Sequence, residues 1–369
     1  MGKGDRKTRK GKRFVRSRKK RTKLNCYGII PKTYKKIMDY KQEMDYAIKN
    51  NIAQFGDIFD FDGVPNEKLY KDLYSFCREN LDIHFKRKSI LHGSFLYSND
   101  FNVNARARTK DNQSTILFNI GLMHNCMKKY LFNHALNDFI ELKEPDLNSK
   151  FDTPLSHLAF QITTQFTYYH ELAHLIQFSQ TAGEEELQER SSEGEFDIKK
   201  HKLEINADTY SSICITTHIY QYILKSFGDN INQENVTKTL TLLGTCLLEY
   251  ILNFTDKFEF YFEEYSHPHP LIRLLNIILS LTSHFSEFPL FIEKGIKLEP
   301  ISLFRSIIDF HKELEDNKIF TTGFSNFTSQ YAANKDKIVS YFSKIKDLGD
   351  DNDYTDAVSV WNSHIHTTD

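Results

Sequence analysis

Two histidines and a glutamate lie close together near the middle of the chain, in the stretch YHELAH at positions 169–174. His170 and His174 are four residues apart, so on a helix both imidazoles project from one face and can bind one metal ion. Glu171 lies one position along, where its carboxylate reaches a water at the metal rather than the metal itself, as a general base should. The HExxH pattern therefore indicates a zinc centre. Two histidines that are hydrogen-bonded inside a core helix are the alternative.

A catalytic zinc site needs a third protein ligand, because such sites use three and leave one position for water. Glu204 follows His174 by thirty residues and can supply a carboxylate oxygen. Asp208 lies one helical turn later on the same face, where it can accept a hydrogen bond from a ligand histidine and fix its tautomer. His201 is the rival third ligand. The predicted centre is Zn²⁺ held by His170, His174 and Glu204, with Asp208 behind it.

These motifs resemble the gluzincin metallopeptidases of the HtpX and CAAX-prenyl-protease type, in which HExxH is followed by E-x-x-A-D, here residues 204–208. The segment SHPHPLIR at 266–273 is similar to the family's S/T-H-P-x-x-x-x-R segment. Asn104-Ala105, with residues 116–123, is similar to its N-A…I-x-x-x-x-G-L-L stretch, whose strand borders the cleft. The likeness extends over residues 102–275.

The resemblance implies that His267 and Arg273 lie near the substrate. His267 can donate to the oxyanion of a tetrahedral intermediate, and Arg273 can pair with a carboxylate or a backbone carbonyl. His269 and Tyr265 are the alternatives to His267. The membrane helices of those relatives are absent, and charged residues 106–112 replace their glycine-rich turn. The chain's size and expected compartment fit a soluble intracellular relative, such as the Lit-type phage-exclusion peptidases, better than they fit the membrane-bound ones.

Composition points to a cytoplasmic protein without a membrane span. The most apolar stretches, 240–254 and 271–281, are too short for a membrane span and are interrupted by Glu249 and Arg273. A basic N-terminus is present, but no apolar segment of a secretory signal follows it. Five dispersed cysteines without CxxC spacing indicate reduced thiols rather than a disulfide framework.

The net charge of −1 hides a strong asymmetry. Residues 1–23 carry thirteen basic residues and one acidic residue, whereas the remaining 346 residues carry 35 bases and 48 acids. Such an arm cannot bury enough apolar surface to order itself and should be disordered when alone. Dense Lys and Arg can neutralise RNA phosphates without a fold, although a solvated tail is the plainer interpretation. Residues 1–14 also resemble the small ribosomal protein Thx, which implies a contact with RNA or the ribosome.

The expected fold is mainly α with a small β-sheet (α+β), a zincin-type metallopeptidase domain built around the HExxH helix. Residues 27–95 read as mostly helical. A β-hairpin is predicted from 101–108 and 115–120 around a polar turn at 109–114. The HExxH helix should run from Thr153 as N-cap, with Pro154 first, to Phe178. A polar loop at 180–200 should lead to a second helix at about 203–227, capped by Gly228. Helices should continue to about residue 315.

The predicted organisation is a basic disordered arm at 1–23, a zinc metallopeptidase domain at 24–290 and a C-terminal helical extension with a loose tail at 291–369. The predicted function is a zinc-dependent endopeptidase that hydrolyses an intracellular protein or peptide through a zinc-activated water. A peptide would add to an exposed edge of the sheet in extended form. The rival is a non-catalytic RNA- or ribosome-binding protein with a structural or vestigial zinc site. Glu171 distinguishes the two, since a structural zinc site does not need it.

Overall fold

The computed structural model describes residues 38–86, 89–179, 185–188, 196–255, 257, 259–321 and 327–348. In these residues the protein is mainly helical with one small sheet, which confirms the coarse fold class predicted from the sequence. The basic arm at 1–23 and the tail at 350–369 lie outside the described residues. Among the described residues, no helix combines the length and the apolar character that crossing a membrane requires.

The helices and strands are named in chain order. The helices are α1 Tyr40–Lys49, α2 Glu67–Lys86, α3 Ile120–Cys126, α4 His134–Lys143, α5 Pro145–Asn148, α6 Leu155–Phe178, α7 Ile198–Phe227, α8 Gln233–Ile251, α9 Pro270–Phe285, α10 Pro289–Glu293, α11 Pro300–Asp316 and α12 Phe327–Asp347. The strands are β1 His92–Ser98, β2 Ala105–Lys110, β3 Gln113–Asn119 and β4 Glu185–Gln188.

The sheet has the strand order β1-β3-β2-β4. Strands β2 and β3 form the predicted antiparallel hairpin, with Ala107 opposite Ile116. Asp111 and Asn112 connect them with φ of 49° and 60°, and two successive positive φ values suit a tight hairpin turn whose twist matches the strands. Strand β4 adds antiparallel to β2, inside the stretch predicted to be a loop. The hairpin prediction is confirmed, and the loop prediction is wrong at 185–188.

Strand β1 corrects the prediction that residues 27–95 are mostly helical. It pairs parallel with β3 from His92 to Ser98. Six of its seven residues are buried, so its two faces do not alternate between apolar and polar. A strand buried on both faces lacks the period of two that would distinguish it from a helix in the sequence.

Gly121 is needed where the chain leaves β3, because the loop before β2 comes very close to it. A Cβ at this position would lie 2.0 Å from the carbonyl oxygen of Phe101 and 2.6 Å from that of Asn102. The Gly121 N–H donates to the Asp100 carbonyl oxygen at 3.0 Å. The obstacle is backbone, so no change of side-chain rotamer can relieve it.

Gly121→Ala is therefore expected to lower the free energy of unfolding by about 1–3 kcal/mol, the usual cost of forcing extra volume into a packed site. Gly56→Ala is the matched control, since a Cβ there would meet no atom within 4 Å. Denaturant unfolding of both variants measures the difference. Equal midpoints for the two would show that the loop can move away without cost.

Helices α6 and α7 carry the predicted metal ligands and pack against each other. The residue before α6 is Pro154, which makes no side-chain cap, so the prediction of a Thr153 cap is wrong. Helix α7 begins at Ile198, earlier than predicted, because the side chain of Asp197 accepts from the Lys199 N–H at 2.9 Å and caps it. It ends at Phe227, and Gly228 follows as the C-cap with φ 51°, as predicted.

Helix α6 lies in the centre of the molecule. All but two of its 24 residues are buried, and it contacts β2, β3, α7 and α8. A helix that is apolar on all sides belongs in the interior. Helix α11, beyond residue 290, packs on α8 and α9 and shares the same continuous hydrophobic core. Because α6 is buried along nearly its whole length, His170 and His174 project from a helix that is packed on all sides.

Candidate metal centre

Three side chains converge between α6 and α7. The Nε2 atoms of His170 and His174 lie 3.0 Å apart. Glu204 places one carboxylate oxygen 3.1 Å from the Nε2 of His170 and the other 3.4 Å from the Nε2 of His174. Ligand atoms at zinc-bond length in a tetrahedron are about 3.3 Å apart. The observed spacing thus suits a small cation bound by all three residues.

The other nitrogen of each imidazole determines which tautomer is present. The Nδ1 of His174 lies 2.8 Å from the amide oxygen of Gln177, and the amide nitrogen of Gln177 donates to the Leu203 carbonyl at 3.1 Å. The amide oxygen can only accept, so His174 carries its hydrogen on Nδ1. The Nδ1 of His170 lies 3.0 Å from Oδ1 of Asp208, which assigns its hydrogen in the same way. Both Nε2 lone pairs therefore point towards Glu204.

Glu204 supplies negative charge to this point. Burial alone would raise the pKa of its carboxyl, but the neighbouring imidazoles of His267, His174 and His170 hold it well below its ordinary value, so Glu204 is ionised. Two lone pairs and a carboxylate facing one another repel unless a cation lies between them. In the described residues, these three form the one His/Cys/Asp/Glu group with ligand atoms mutually within 4.8 Å. Two imidazoles and a carboxylate are a donor set that suits zinc.

Arg273 contacts Asp208, whereas the resemblance placed it near the substrate. Its Nε and Nη2 donate to the two oxygens of Asp208 at 2.9 and 2.8 Å, and it is only 2% exposed. Burial would raise the pKa of Asp208, but the charge and hydrogen bonds of Arg273 lower it. Arg273 therefore keeps Asp208 ionised and oriented towards His170, and its predicted contact with the substrate stays a prediction.

Breaking this pair should destabilise the protein strongly. Arg273→Leu leaves the carboxylate of Asp208 buried without its cation, which typically costs about 3–5 kcal/mol. Asp208→Asn removes that charge, so Arg273→Leu should cost much less in its presence. Denaturant unfolding of both single variants and the double variant gives the coupling between them. Costs that simply add would show that the two side chains act independently.

Glu171 lies on α6 directly after His170 and is 1% exposed. One helical residue rotates the side chain by about 100°, so Glu171 projects beside the face that carries His170 and His174 rather than from it. It is absent from the group of mutually close ligand atoms. This position suits a group that acts on a molecule bound beside the metal.

His267 is the one predicted electrophile that the structure brings to the centre. Its Nε2 lies 3.5 Å from a carboxylate oxygen of Glu204, and its Nδ1 lies 2.9 Å from Oγ of Ser266. The carboxylate can only accept, which favours a hydrogen on Nε2 and a hydroxyl of Ser266 that donates to Nδ1. His267 thus presents a donor at the edge of the cluster.

The two alternatives to His267 are placed differently. His269 caps α9, because its Nδ1 accepts from the Leu271 N–H at 3.2 Å. Its ring stacks on Phe260 with centroids 4.4 Å apart. Tyr265 is half-buried, and its backbone carbonyl accepts from His201. Both residues shape the segment that holds His267.

His201, the rival third ligand, has both ring nitrogens engaged elsewhere. Its Nε2 lies 2.8 Å from the carbonyl oxygen of Tyr265, and its Nδ1 contacts the hydroxyl of Tyr341 on α12. The carbonyl can only accept, so Nε2 is the donor and Nδ1 accepts from the hydroxyl. No lone pair of His201 remains for a metal ion, and Glu204 is the third member of the cluster.

Sequence reasoning missed Gln177 and Ser266, which orient His174 and His267. Gln177 lies three residues after His174, on the same helix face, so its spacing was a usable signal. Ser266 directly precedes His267 as the S/T position of the S/T-H-P segment, and sequence reasoning gave it no role. The centre itself is closely covered by the described residues, since all three ligand side chains are at most 2% exposed.

Comparisons with protein-family models, with curated proteins and with solved structures found no match for this chain.

Proposed function

We propose that this protein is a zinc-dependent endopeptidase of the gluzincin type, with a zincin-type active site on α6 and α7. The observation that carries the proposal is the convergence of His170, His174 and Glu204. Their lone pairs and charge meet at one buried point, and hydrogen-bond partners behind the imidazoles set the tautomers that metal binding requires. The adjacent Glu171 turns this from a metal site into a candidate hydrolytic site.

The chain's own residues have separate roles in this proposal. Glu171 takes a proton from the attacking water and passes it to the leaving amine. His267 donates from Nε2 to the oxyanion that forms when the peptide carbonyl is attacked. Asp208 and Gln177 hold the ligand imidazoles in orientation. A bound zinc ion would supply Lewis acidity, which lowers the pKa of the water and polarises the carbonyl.

The proposed substrate is an intracellular protein or peptide. The four cysteines among the described residues are free, which is typical of a reducing compartment. An extended peptide would add to the sheet beyond β4, the strand at the edge next to β2. Strand β4 belongs to the connection between the two helices that carry the ligands.

The experiment is a search for new N-termini in a peptide mixture incubated with the purified full-length protein. Cleavage should disappear when zinc is removed by a chelator and return when zinc, but not magnesium, is restored. Cleavage that persists in fully zinc-free protein would refute a zinc peptidase. The same holds if zinc-loaded protein cuts nothing while related HExxH peptidases cut the same mixture.

One observation favours the non-catalytic alternative. The ligand side chains are almost fully buried, and structural zinc sites are closed whereas catalytic sites keep an open position. In that case, the basic segment 1–23 would carry the function by binding RNA. The two proposals differ on Glu171, which a structural centre does not require.

Deletion of residues 1–23 tests the RNA-binding part directly. The full chain should bind RNA with an affinity that falls steeply as salt rises, because thirteen basic residues displace counterions from phosphates. The deleted protein should lose this binding and keep its fold and zinc. RNA affinity that is unchanged by the deletion would exclude the arm as the binding segment.

A further inference from the structure

The C-terminal helix α12 packs against the elements that carry the metal centre. Its most buried residues, Ile338, Tyr341 and Ile345, are spaced three and four apart and form one stripe along the helix. Tyr341 and Ile345 form a small hydrophobic cluster with Ile205 of α7 and Ile272 of α9. These two partners are the neighbours in sequence of Glu204 and Arg273. Helix α12 therefore lies over the first turns of α7, which carries Glu204, and of α9, which carries Arg273.

A polar relay runs from α12 to the segment that carries His267. The hydroxyl of Tyr341 donates to Nδ1 of His201, and Nε2 of His201 donates to the Tyr265 carbonyl at 2.8 Å. Tyr265 precedes His267 by two residues. His201 and Tyr341 are 0% and 3% exposed, so water cannot readily replace either hydrogen bond. The relay connects residues 140 positions apart in the chain.

Both groups of the relay are in the protonation state that it requires. Burial lowers the pKa of His201. This effect outweighs the hydrogen bond to the Tyr265 carbonyl, which acts to raise it. Burial likewise raises the pKa of Tyr341. At neutral pH His201 is therefore neutral and can accept, and Tyr341 keeps its hydrogen and can donate.

Further contacts hold the same segment against α12. The side chain of Gln330 accepts from the Phe260 N–H at 3.1 Å. The ring of Tyr341 lies 5.8 Å from that of Phe262. Phe260 in turn stacks on His269, which caps α9. The segment from 260 to 269 is thus fixed from α12 at its beginning and, through His201, at Tyr265.

We infer that Tyr341 and His201 are positioning residues that hold His267 at the metal centre, which makes α12 part of the catalytic apparatus. The inference rests on the proposed function for the role of His267. Neither residue touches the substrate in this account. They act through the Tyr265 carbonyl, which sets the place of the backbone from which His267 projects. An error of about 1 Å at a catalytic group can cost roughly 100-fold in rate.

The test uses full-length, zinc-loaded protein with single substitutions. Tyr341→Phe removes only the hydroxyl, and His201→Leu removes both hydrogen bonds. His201→Gln keeps one donor and one acceptor and should rescue. Tyr331→Phe is the matched control, because it makes the same change on the same helix, where the ring packs on Phe304.

We expect Tyr341→Phe and His201→Leu to lower kcat roughly 10- to 100-fold with little change in KM or zinc content. His201→Gln and Tyr331→Phe should stay within a few-fold of wild type. Normal kcat in Tyr341→Phe and His201→Leu would overturn the inference. So would a higher kcat, which would make α12 a barrier to substrate, or no rescue by His201→Gln.

A second measurement does not depend on catalysis. The rate at which diethyl pyrocarbonate modifies His267, followed by mass spectrometry, should rise in Tyr341→Phe and His201→Leu but not in Tyr331→Phe. If wild-type protein cleaves nothing, the proposed function fails, and this rate still decides whether the relay holds His267. An unchanged modification rate in both relay variants would overturn the inference by itself.

Discussion

Glu171→Gln is expected to retain zinc and the native fold while losing about 10²–10⁴-fold in the rate of peptide hydrolysis, the usual contribution of a general base. The amide keeps the size and shape of the carboxylate but cannot accept a proton at neutral pH. Glu171 lies beside the ligand face of α6 and outside the ligand cluster. The substitution should therefore separate metal binding from catalysis.

Zinc content, thermal unfolding and single-turnover cleavage of a peptide found in the N-terminus search are measured for this variant. Glu141→Gln on α4 is the control, since the Glu141 side chain is exposed to solvent and lies outside the group of ligand atoms. Equal rates for wild type and Glu171→Gln would contradict the peptidase proposal and leave the structural zinc site. Loss of zinc in Glu171→Gln would instead show that Glu171 is a ligand.

Alanine at any ligand position is expected to remove most of the bound zinc. His170→Ala, His174→Ala and Glu204→Ala each take away one of three protein ligands, and zinc centres of this kind need all three. Wild type should carry about one zinc per chain. Asp208→Ala should weaken zinc binding by roughly 10–100-fold, because it removes the partner that orients His170.

Elemental analysis and competition with a chromogenic chelator measure these affinities. His134→Ala is the control for loss of a histidine, since His134 is exposed on α4. His201→Leu should also keep its zinc, because both nitrogens of His201 are engaged by Tyr265 and Tyr341. Zinc that remains in Glu204→Ala but is lost from His201→Leu would reverse the assignment of the third ligand.

Local spacing explains what the sequence could predict. His170 and His174 share a helix face by their spacing alone, and Glu204 and Asp208 do so on the next helix. The turn at Asp111 and Asn112 was predictable as a polar break between two β-prone runs. These features depend on residues a few positions apart, so no knowledge of the tertiary fold was needed.

Contacts between distant segments were not predictable in this way. Arg273 pairs with Asp208 across 65 positions, and His201 reaches Tyr341 across 140. The local pattern cannot distinguish an arginine that pairs with Asp208 from one that binds substrate. Either would stand at the same position of the S/T-H-P-x-x-x-x-R segment. Strand β1 was missed because burial of both faces removes the alternation on which strand prediction depends.

The most direct test of the metal centre is anomalous X-ray diffraction from crystals of the zinc-loaded full chain, with data collected on both sides of the zinc absorption edge. The account predicts one strong anomalous peak about 2.0–2.1 Å from the Nε2 atoms of His170 and His174 and from a carboxylate oxygen of Glu204. A zinc peak at other residues, or no peak between these three side chains, would contradict it.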